Sequence, residues 1–307
     1  SDSNHGHDYI RDFEQRFIFK SRNPSRTGWD EIDRITHQGL GTGELGVVIA
    51  PTGAGKSMAL VHLGSQAIMD GRNVIYYTLE LSDTVVGSRF DSCITKVPLN
   101  DLRGFKEEIY EKIQDIEGSL IVKEYPTKSS SVATLKAHLE KVITRGFKPD
   151  VIIVDYADLL RPISTLREKR HELETIYEQL RGLAQEYKCC VWTASQTNRS
   201  GLNAEVITME SISEAFNKCF VADFIFSISR TTEDKLSNQG RIFIAKNRNG
   251  EDGLIYPIYM DTSNITIKVL PSSGETIGEV QKDAKKKQEA KLKEKYAQFK
   301  NKQKGKK

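Results

Sequence analysis

The densest chemical signal lies in residues 47–60, which read Val-Val-Ile-Ala-Pro-Thr-Gly-Ala-Gly-Lys-Ser-Met-Ala-Leu. The opening apolar run has the β-branched character of a short buried strand. Gly53 and Gly55 then open a loop into an apolar helix start. A strand, a glycine-bearing loop and a helix N-terminus together make a phosphate cradle, because the loop amides and the helix dipole both present partial positive charge. Ala50, Pro51, Thr52, Gly53, Ala54, Gly55, Lys56 and Ser57 follow the P-loop pattern, except that Ala50 stands at the first glycine position. In that pattern Lys56 reaches the β- and γ-phosphates and the Ser57 hydroxyl ligates Mg²⁺. The bland alternative is a glycine turn ahead of an ordinary helix, and the flanking strand and helix weigh against it.

Other positions could complete the phosphate chemistry. Glu80 follows a second apolar run, 74–79, read as lying next to the P-loop strand. There its carboxylate can face a γ-phosphate and orient a water; taken alone, it is equally a strand end in solvent. Asp155 closes the run Val151-Ile152-Ile153-Val154. A buried strand delivering a carboxylate at its C-terminal end is the second half of a P-loop ATPase, with Asp155 holding the magnesium directly or through water. Gln196 follows the apolar strand 190–194. It can hydrogen-bond the γ-phosphate or the attacking water and pass the nucleotide state to the loop 199–209. Lys246 and Arg248 stand two apart in an extended segment, so they project on the same side.

The elements that must position these residues alternate between strand and helix. Helices are expected over 81–96, 99–117, 131–145 and 172–187, with strands at 120–124 and 224–229. The chain then turns antiparallel, with strands at 241–246, 254–261 and 265–270 and an Asn-Gly turn at Asn249-Gly250. The implied class is α/β, a mostly parallel central sheet flanked by helices and followed by an antiparallel hairpin. Ahead of it, residues 8–20 carry Ile10, Phe13, Phe17 and Ile18 near helical spacing. That aromatic face must be buried either on its own domain or on a neighbouring subunit.

Composition narrows the classes further. The 307 residues hold no apolar run long enough for a membrane helix and no signal-peptide core. Cys93, Cys189, Cys190 and Cys219 form no C-x-x-C pair, which fits buried free thiols in a reducing cytoplasm. The histidines are scattered, so the metal expected is phosphate-bound Mg²⁺. Net charge is +3, yet residues 274–307 hold twelve Lys against five acidic residues, leaving the other 273 at a net −4. Nucleic-acid contact must therefore come from local loops or from the tail.

Taken together, these segments resemble the ATPase domain of DnaB-like replicative DNA helicases, particularly the bacteriophage forms. The resemblance rests on Thr27-Gly28 with Asp33, the P-loop 50–57, and Thr78-Leu79-Glu80-Leu81-Ser82 with Arg89. It continues through Ile153-Val154-Asp155-Tyr156, Ser195-Gln196-Thr197-Asn198-Arg199-Ser200 and Lys246-Asn247-Arg248-Asn249-Gly250. It spans residues 21–270, and Ala50 supports it, since this family often carries Ala at that position.

The resemblance implies a RecA-like P-loop NTPase core acting as the motor of a homo-hexameric ring that moves 5′ to 3′ on single-stranded DNA. It implies that ATP or another NTP binds with Mg²⁺, that Glu80 activates water and that Gln196 senses the γ-phosphate. Arg89 joins the nucleotide-binding set. Lys246 and Arg248 reach the neighbouring subunit's nucleotide, Arg248 as an arginine finger. Arg161, Arg167, Lys169, Arg170, Arg199 and Lys218 are the DNA-contacting candidates, the first four in a basic loop 161–170. Primase or other replisome proteins are possible partners, and no membrane is involved. The implied location is the cytoplasm, that of a bacterial host if the protein is phage-encoded.

Two departures stand out. Ser213-Glu214-Ala215-Phe216 replaces the family's Arg-Glu-Ser-Gly, and the family's N-terminal helical domain is expected to be missing, with only the 8–20 helix in its place. The expected organisation is a linker helix at 1–20, resembling the segment that docks on an adjacent subunit, a motor domain at 21–272 and a flexible Lys-rich tail at 273–307, either disordered or a frayed helix. The rival reading is a RecA- or KaiC-like recombinase or nucleotide-switched regulatory ring.

Overall fold

The computed structural model describes residues 5–18, 21–164, 168–197, 209–272, 274 and 276–304. The described elements run α1 (Asp30–Ile35), β1 (Leu45–Ala50), α2 (Lys56–Met69), β2 (Asn73–Thr78), α3 (Asp83–Thr95), α4 (Lys106–Gln114), β3 (Ser119–Glu124), α5 (Val132–Thr144) and β4 (Val151–Asp155). They continue with α6 (Lys169–Tyr187), β5 (Cys190–Gln196), α7 (Met209–Lys218), β6 (Phe224–Ser229), α8 (Thr232–Leu236), β7 (Gln239–Asn247), β8 (Ile255–Asp261), β9 (Thr266–Val269) and α9 (Ile277–Lys304).

The strands form one sheet in the order β3-β2-β4-β5-β1-β6-β7-β8-β9. Pairing is parallel from β3 through β6 and antiparallel from β6 to β9. The period-two alternation of strand side chains divides the core into two layers. Val48, Tyr76, Ile153, Trp192 and Phe226 pack on one face with α2 and α3. Val47, Ile49, Tyr77, Val154 and Val191 pack on the other with α5 and α6. A Cβ at Gly46 would lie 2.5 Å from the Trp192 ring, so only glycine lets the indole lie across β1.

This architecture bears out the mostly parallel α/β class with its antiparallel continuation, and it corrects several details. β2 does not adjoin the P-loop strand: β1 is flanked by β5 and β6, while β2 pairs with β3 and β4. Apolar patterning shows that a strand is buried but not which strand flanks it. The crossover through α2 passes over two positions that β4 and β5 later fill. In 8–20 the described helix is a 3₁₀ segment, Phe13–Phe17, and Tyr9, Ile10, Phe13, Phe17 and Ile18 are all exposed. The 99–117 region divides into a 3₁₀ segment, Leu99–Phe105, and α4. Lys169 and Arg170 open α6 rather than ending a loop. Of the two readings of the tail, the helix is the one found, α9, as its high content of Lys, Gln, Glu and Ala favours. All four cysteines are buried and unbridged, and no described helix is long and apolar enough to cross a membrane.

A small polar cluster braces the outer end of α2. The Asp33 carboxylate accepts from the Thr27 amide and hydroxyl, both at 2.7 Å, and from the Gly28 amide at 3.2 Å. These contacts hold Trp29 flat against His62, with ring centroids 4.3 Å apart, while His62 Nε2 lies 2.8 Å from the Thr27 carbonyl. Burial lowers the His62 imidazole to about 4, so it is neutral at pH 7. The unfolded chain takes up a proton at His62 below about pH 6.5, whereas the folded protein does so only near 4. The stability His62 contributes is therefore present above about pH 6.5 and is lost as pH falls toward 4, by up to about 3 kcal/mol. Thermal melts should show wild type losing more Tm between about pH 7.5 and 5 than His62→Gln, which cannot take up that proton.

Candidate nucleotide site

The cleft lies at the C-terminal ends of the parallel strands, where α/β sheets place their ligands. It has a volume of about 300 Å³, and Thr52, Gly53, Gly55, Lys56, Ser57, Glu80, Arg89 and Gln196 all line it. Met58, Leu99, Thr262 and Ile265 complete its lining. Gly55 adopts φ +110° at the start of α2, a left-handed conformation that glycine tolerates and that turns the loop into the helix. Ala50 is the last residue of β1 and is fully buried. Its methyl therefore belongs to the core rather than to the cradle.

Lys56 is buried at 9% exposure, with Nζ 5.0 Å from the centre of the Tyr156 ring. Burial lowers its pKa, and the nearby carboxylates of Asp155, Glu80 and Asp158 oppose that effect. Asp155 is 2% exposed, and its Oδ2 accepts from the Tyr76 hydroxyl at 2.6 Å. Burial raises Asp155 above the usual carboxylate range, against the Tyr76 and Ser57 hydroxyls beside it. Its Oδ1 is buried without a hydrogen-bond partner. An orphaned carboxylate oxygen beside a serine hydroxyl at a phosphate cradle fits a hard divalent cation such as Mg²⁺, which takes oxygen ligands.

Gln196 ends β5 and ties the cleft together. Its Nε2 donates to Thr52 Oγ1 at 2.6 Å, and its Oε1 accepts from the Tyr156 hydroxyl at 2.8 Å. Its amide donates to Asp158 Oδ2 at 3.1 Å. Burial pushes Tyr156 up to about 12, so it remains a protonated donor. Glu80 reaches the cleft although β2 is remote from β1, because the Leu79 amide donates to the Asp155 carbonyl at 3.0 Å. That bond keeps residues 79 and 80 running alongside the end of β4.

Lys246 and Arg248 lie elsewhere. β7 runs antiparallel to β6, with Asn247 opposite Phe224, and Phe224 in turn pairs with Gly46 near the start of β1. The two cations therefore sit at the opposite end of the sheet from the P-loop, about 17 Å away along β1 at the usual rise per residue. Lys246 donates to the Phe220 carbonyl and lies 4.3 Å from the centre of that ring. Arg248 is exposed and pairs with Asp223 at 3.0 Å.

The DNA-contact candidates scatter. Arg161 and Lys169 are exposed, and Arg170 is an exposed partner of Glu174 at 3.1 Å. Arg167 and Arg199, with most of the loop 199–209, lie outside the described residues. Lys218 is turned inward: its Nζ pairs with Asp158 at 3.1 Å and its side chain is 12% exposed. Asp158 already accepts from the Gln196 amide and the Tyr177 hydroxyl, and so enclosed a carboxylate draws in a cation.

Three positions in this region were given no site role from the sequence. Tyr156, noted only as part of the family segment, and Asp158 lie just past the Asp155 strand end, and their polarity beyond a buried strand was the available clue. Lys235 on α8 brings its ammonium to 3.9 Å from where a Gly53 Cβ would stand. Only the path of β6 into α8 reveals it.

A family model for the DnaB-like helicase C-terminal domain matches residues 25–264. The chain belongs to this family. A DnaB-like replicative helicase of Enterobacteria phage T4 is 30% identical over 266 residues, covering 81% of this chain and 56% of that protein. A replicative DNA helicase DnaB of Pasteurella multocida (strain Pm70) is 26% identical over 251 residues, 75% of this chain and 52% of that protein. A solved DnaB-like replicative helicase, described with its interactions with primase, superposes with a TM-score of 0.71 at 16% identity, covering 87% of this chain and 69% of that one. A solved ATPase domain superposes at 0.69 and 16% identity, over 84% of this chain and 95% of that one. At such identity the structural matches speak to the fold. The chain spans about half the length of the curated relatives just described. The recombinase or regulatory-ring alternative is not favoured by these matches.

Tyr156→Phe removes the hydroxyl that orients Gln196 while leaving the ring over Lys56 in place. Steady-state NTPase assays should show kcat reduced by about tenfold, as loss of an orienting partner typically does, with KM changed far less.

Proposed function

We propose that this chain is the motor of an ATP-dependent replicative DNA helicase. It works as a hexameric ring that moves 5′ to 3′ on single-stranded DNA and unwinds duplex ahead of it, in the cytoplasm of a bacterial host if the protein is phage-encoded. The observation that carries the reading is the separation of the site into two halves. The P-loop, Glu80, Asp155 and Gln196 gather at one end of the sheet, whereas Lys246 and Arg248 stand at the other. Cations on that far edge cannot serve their own P-loop but can serve a neighbour's. Supplying them from the next subunit makes hydrolysis depend on the state of the interface.

Within each site, Lys56 and the loop amides bind the β- and γ-phosphates. Ser57 and Asp155 hold the magnesium, which neutralises phosphate charge when bound. Glu80 accepts the proton of the attacking water as its oxygen bonds to the γ-phosphorus and the bridging bond to the β-phosphate breaks. Gln196, held by Thr52 and Tyr156, senses the γ-phosphate. From the next subunit, Arg248 stabilises the transition-state charge and Lys246 assists. Arg89 completes the nucleotide-binding wall. DNA is tracked through its phosphates by basic residues around Arg161, Arg167, Lys169, Arg170 and Arg199, giving salt-sensitive binding with a slope of about −0.7 for each phosphate contact. The inward ion pair of Lys218 argues for a role beside Asp158 and Gln196 rather than on DNA. Primase is a candidate partner by analogy with the solved DnaB-like replicative helicase described with its interactions with primase.

Two measurements test the reading. A forked duplex should be unwound with ATP, and ATPase activity should rise with single-stranded DNA; a chain stimulated by neither, even at low salt, is not a helicase motor. Lys56→Ala and Arg248→Ala proteins should each be inactive, while their mixture recovers activity from interfaces with an intact P-loop and an intact Arg248. A mixture no more active than its components rules out supply from the neighbour.

A further inference from the structure

Asp223 stands immediately before β6, 4% exposed. Its Oδ2 accepts the Leu45 amide at 2.8 Å and Arg181 Nε at 3.2 Å; its Oδ1 accepts Arg181 Nη2 at 3.2 Å and Arg248 Nη1 at 3.0 Å. The Arg248 amide also donates to the Asp223 carbonyl at 2.9 Å. One carboxylate thus faces two guanidiniums, the Arg181 side chain at 25% exposure and that of Arg248 at 43%.

The bidentate fork of Arg181, with the Leu45 amide, already satisfies a buried carboxylate. The Arg248 contact is additional, and its effect falls on the arginine. We propose that Asp223 is a positioning residue for Arg248, fixing the guanidinium in advance for the neighbouring subunit's nucleotide. This rests on Arg248 acting across the interface. A free arginine would give up its rotamer freedom only on meeting phosphate; one held by a buried carboxylate has lost it already. The anchor is rigid as well. Through Leu45, Asp223 is bonded to the first residue of β1, the strand whose far end carries the P-loop, so Arg248 is referenced to the sheet rather than to the turn that follows it. No charge run or motif marks Asp223, which reads in the sequence as an ordinary residue ahead of a strand.

The mixed-ring assay separates positioning from general support. In a mixture of Lys56→Ala and Arg248→Ala subunits, only the Lys56→Ala subunits donate Arg248. Asp223→Asn added to those donors should lower the recovered activity by about tenfold to a hundredfold, the usual range for an orienting partner. The same change added to the Arg248→Ala subunits, which have no finger to position, should leave recovery unchanged. Thermal melts establish that both double variants fold. Asp223→Glu, which keeps the charge and lengthens the side chain, serves as a second variant with the same placement-dependent expectation. Equal losses from both placements, or no loss from the donor placement, would overturn the proposal in favour of a purely structural Asp223. Absence of recovery in the parent mixture would instead defeat the supply of Arg248 from the neighbour, and this inference with it.

Discussion

β1 is the strand on which the rest depends. It is buried throughout and hydrogen-bonded on both sides, to β5 and to β6. A strand so placed cannot slip by one residue, because the Trp192 ring lies across Gly46 and a side chain brought to that position would meet it at about 2.5 Å. Its two ends are therefore fixed points. One turns through Pro51 into the phosphate loop. The other gives its amide to Asp223, which also holds Arg181 and Arg248. The phosphate loop and the cluster that holds Arg248 are thus two ends of one rigid element.

Charge in the cleft is arranged with little room to spare. A buried lysine faces three carboxylates, which offset the desolvation that would otherwise lower it further. Asp155 is half satisfied, by Tyr76 on one oxygen only. Such a group is well suited to a cation with oxygen ligands. The polar side chains around it are tied to one another through Thr52, Gln196, Tyr156 and Asp158. The network thereby links the P-loop, through Thr52, to the end of β5, through Gln196.

At the periphery, local pattern and tertiary outcome part company. Aromatic spacing in 8–20 suggested an amphipathic helix, yet the described segment is a short 3₁₀ turn with its rings exposed. Spacing specifies a face, but a helix of this length is marginal in water without a surface to pack on. The Lys-rich tail shows the converse: residues of high helix propensity form α9, and Lys291 on it pairs with Glu233 at 3.2 Å. Lys218, counted among basic residues free to meet DNA, is committed to Asp158. A list of cations says nothing of which carboxylates they will find.

The sequence by itself determined the α/β class, the phosphate loop, the buried carboxylate at Asp155 and the strand-end glutamine. Each is written in a short window where a run of apolar residues stops at a chemically distinct one, and the physics of a buried parallel strand makes that stop a site. It also determined the family, through the order of those windows. Only the tertiary structure decided that β2 lies two strands from β1, that Tyr156 and Asp158 hold Gln196, that Lys235 stands over the P-loop, and that Asp223 grips Arg248. These depend on contacts between residues distant in the chain, such as 45 with 223 and 52 with 196. No local spacing encodes such pairs, because strand order is settled by how all the apolar faces are buried together.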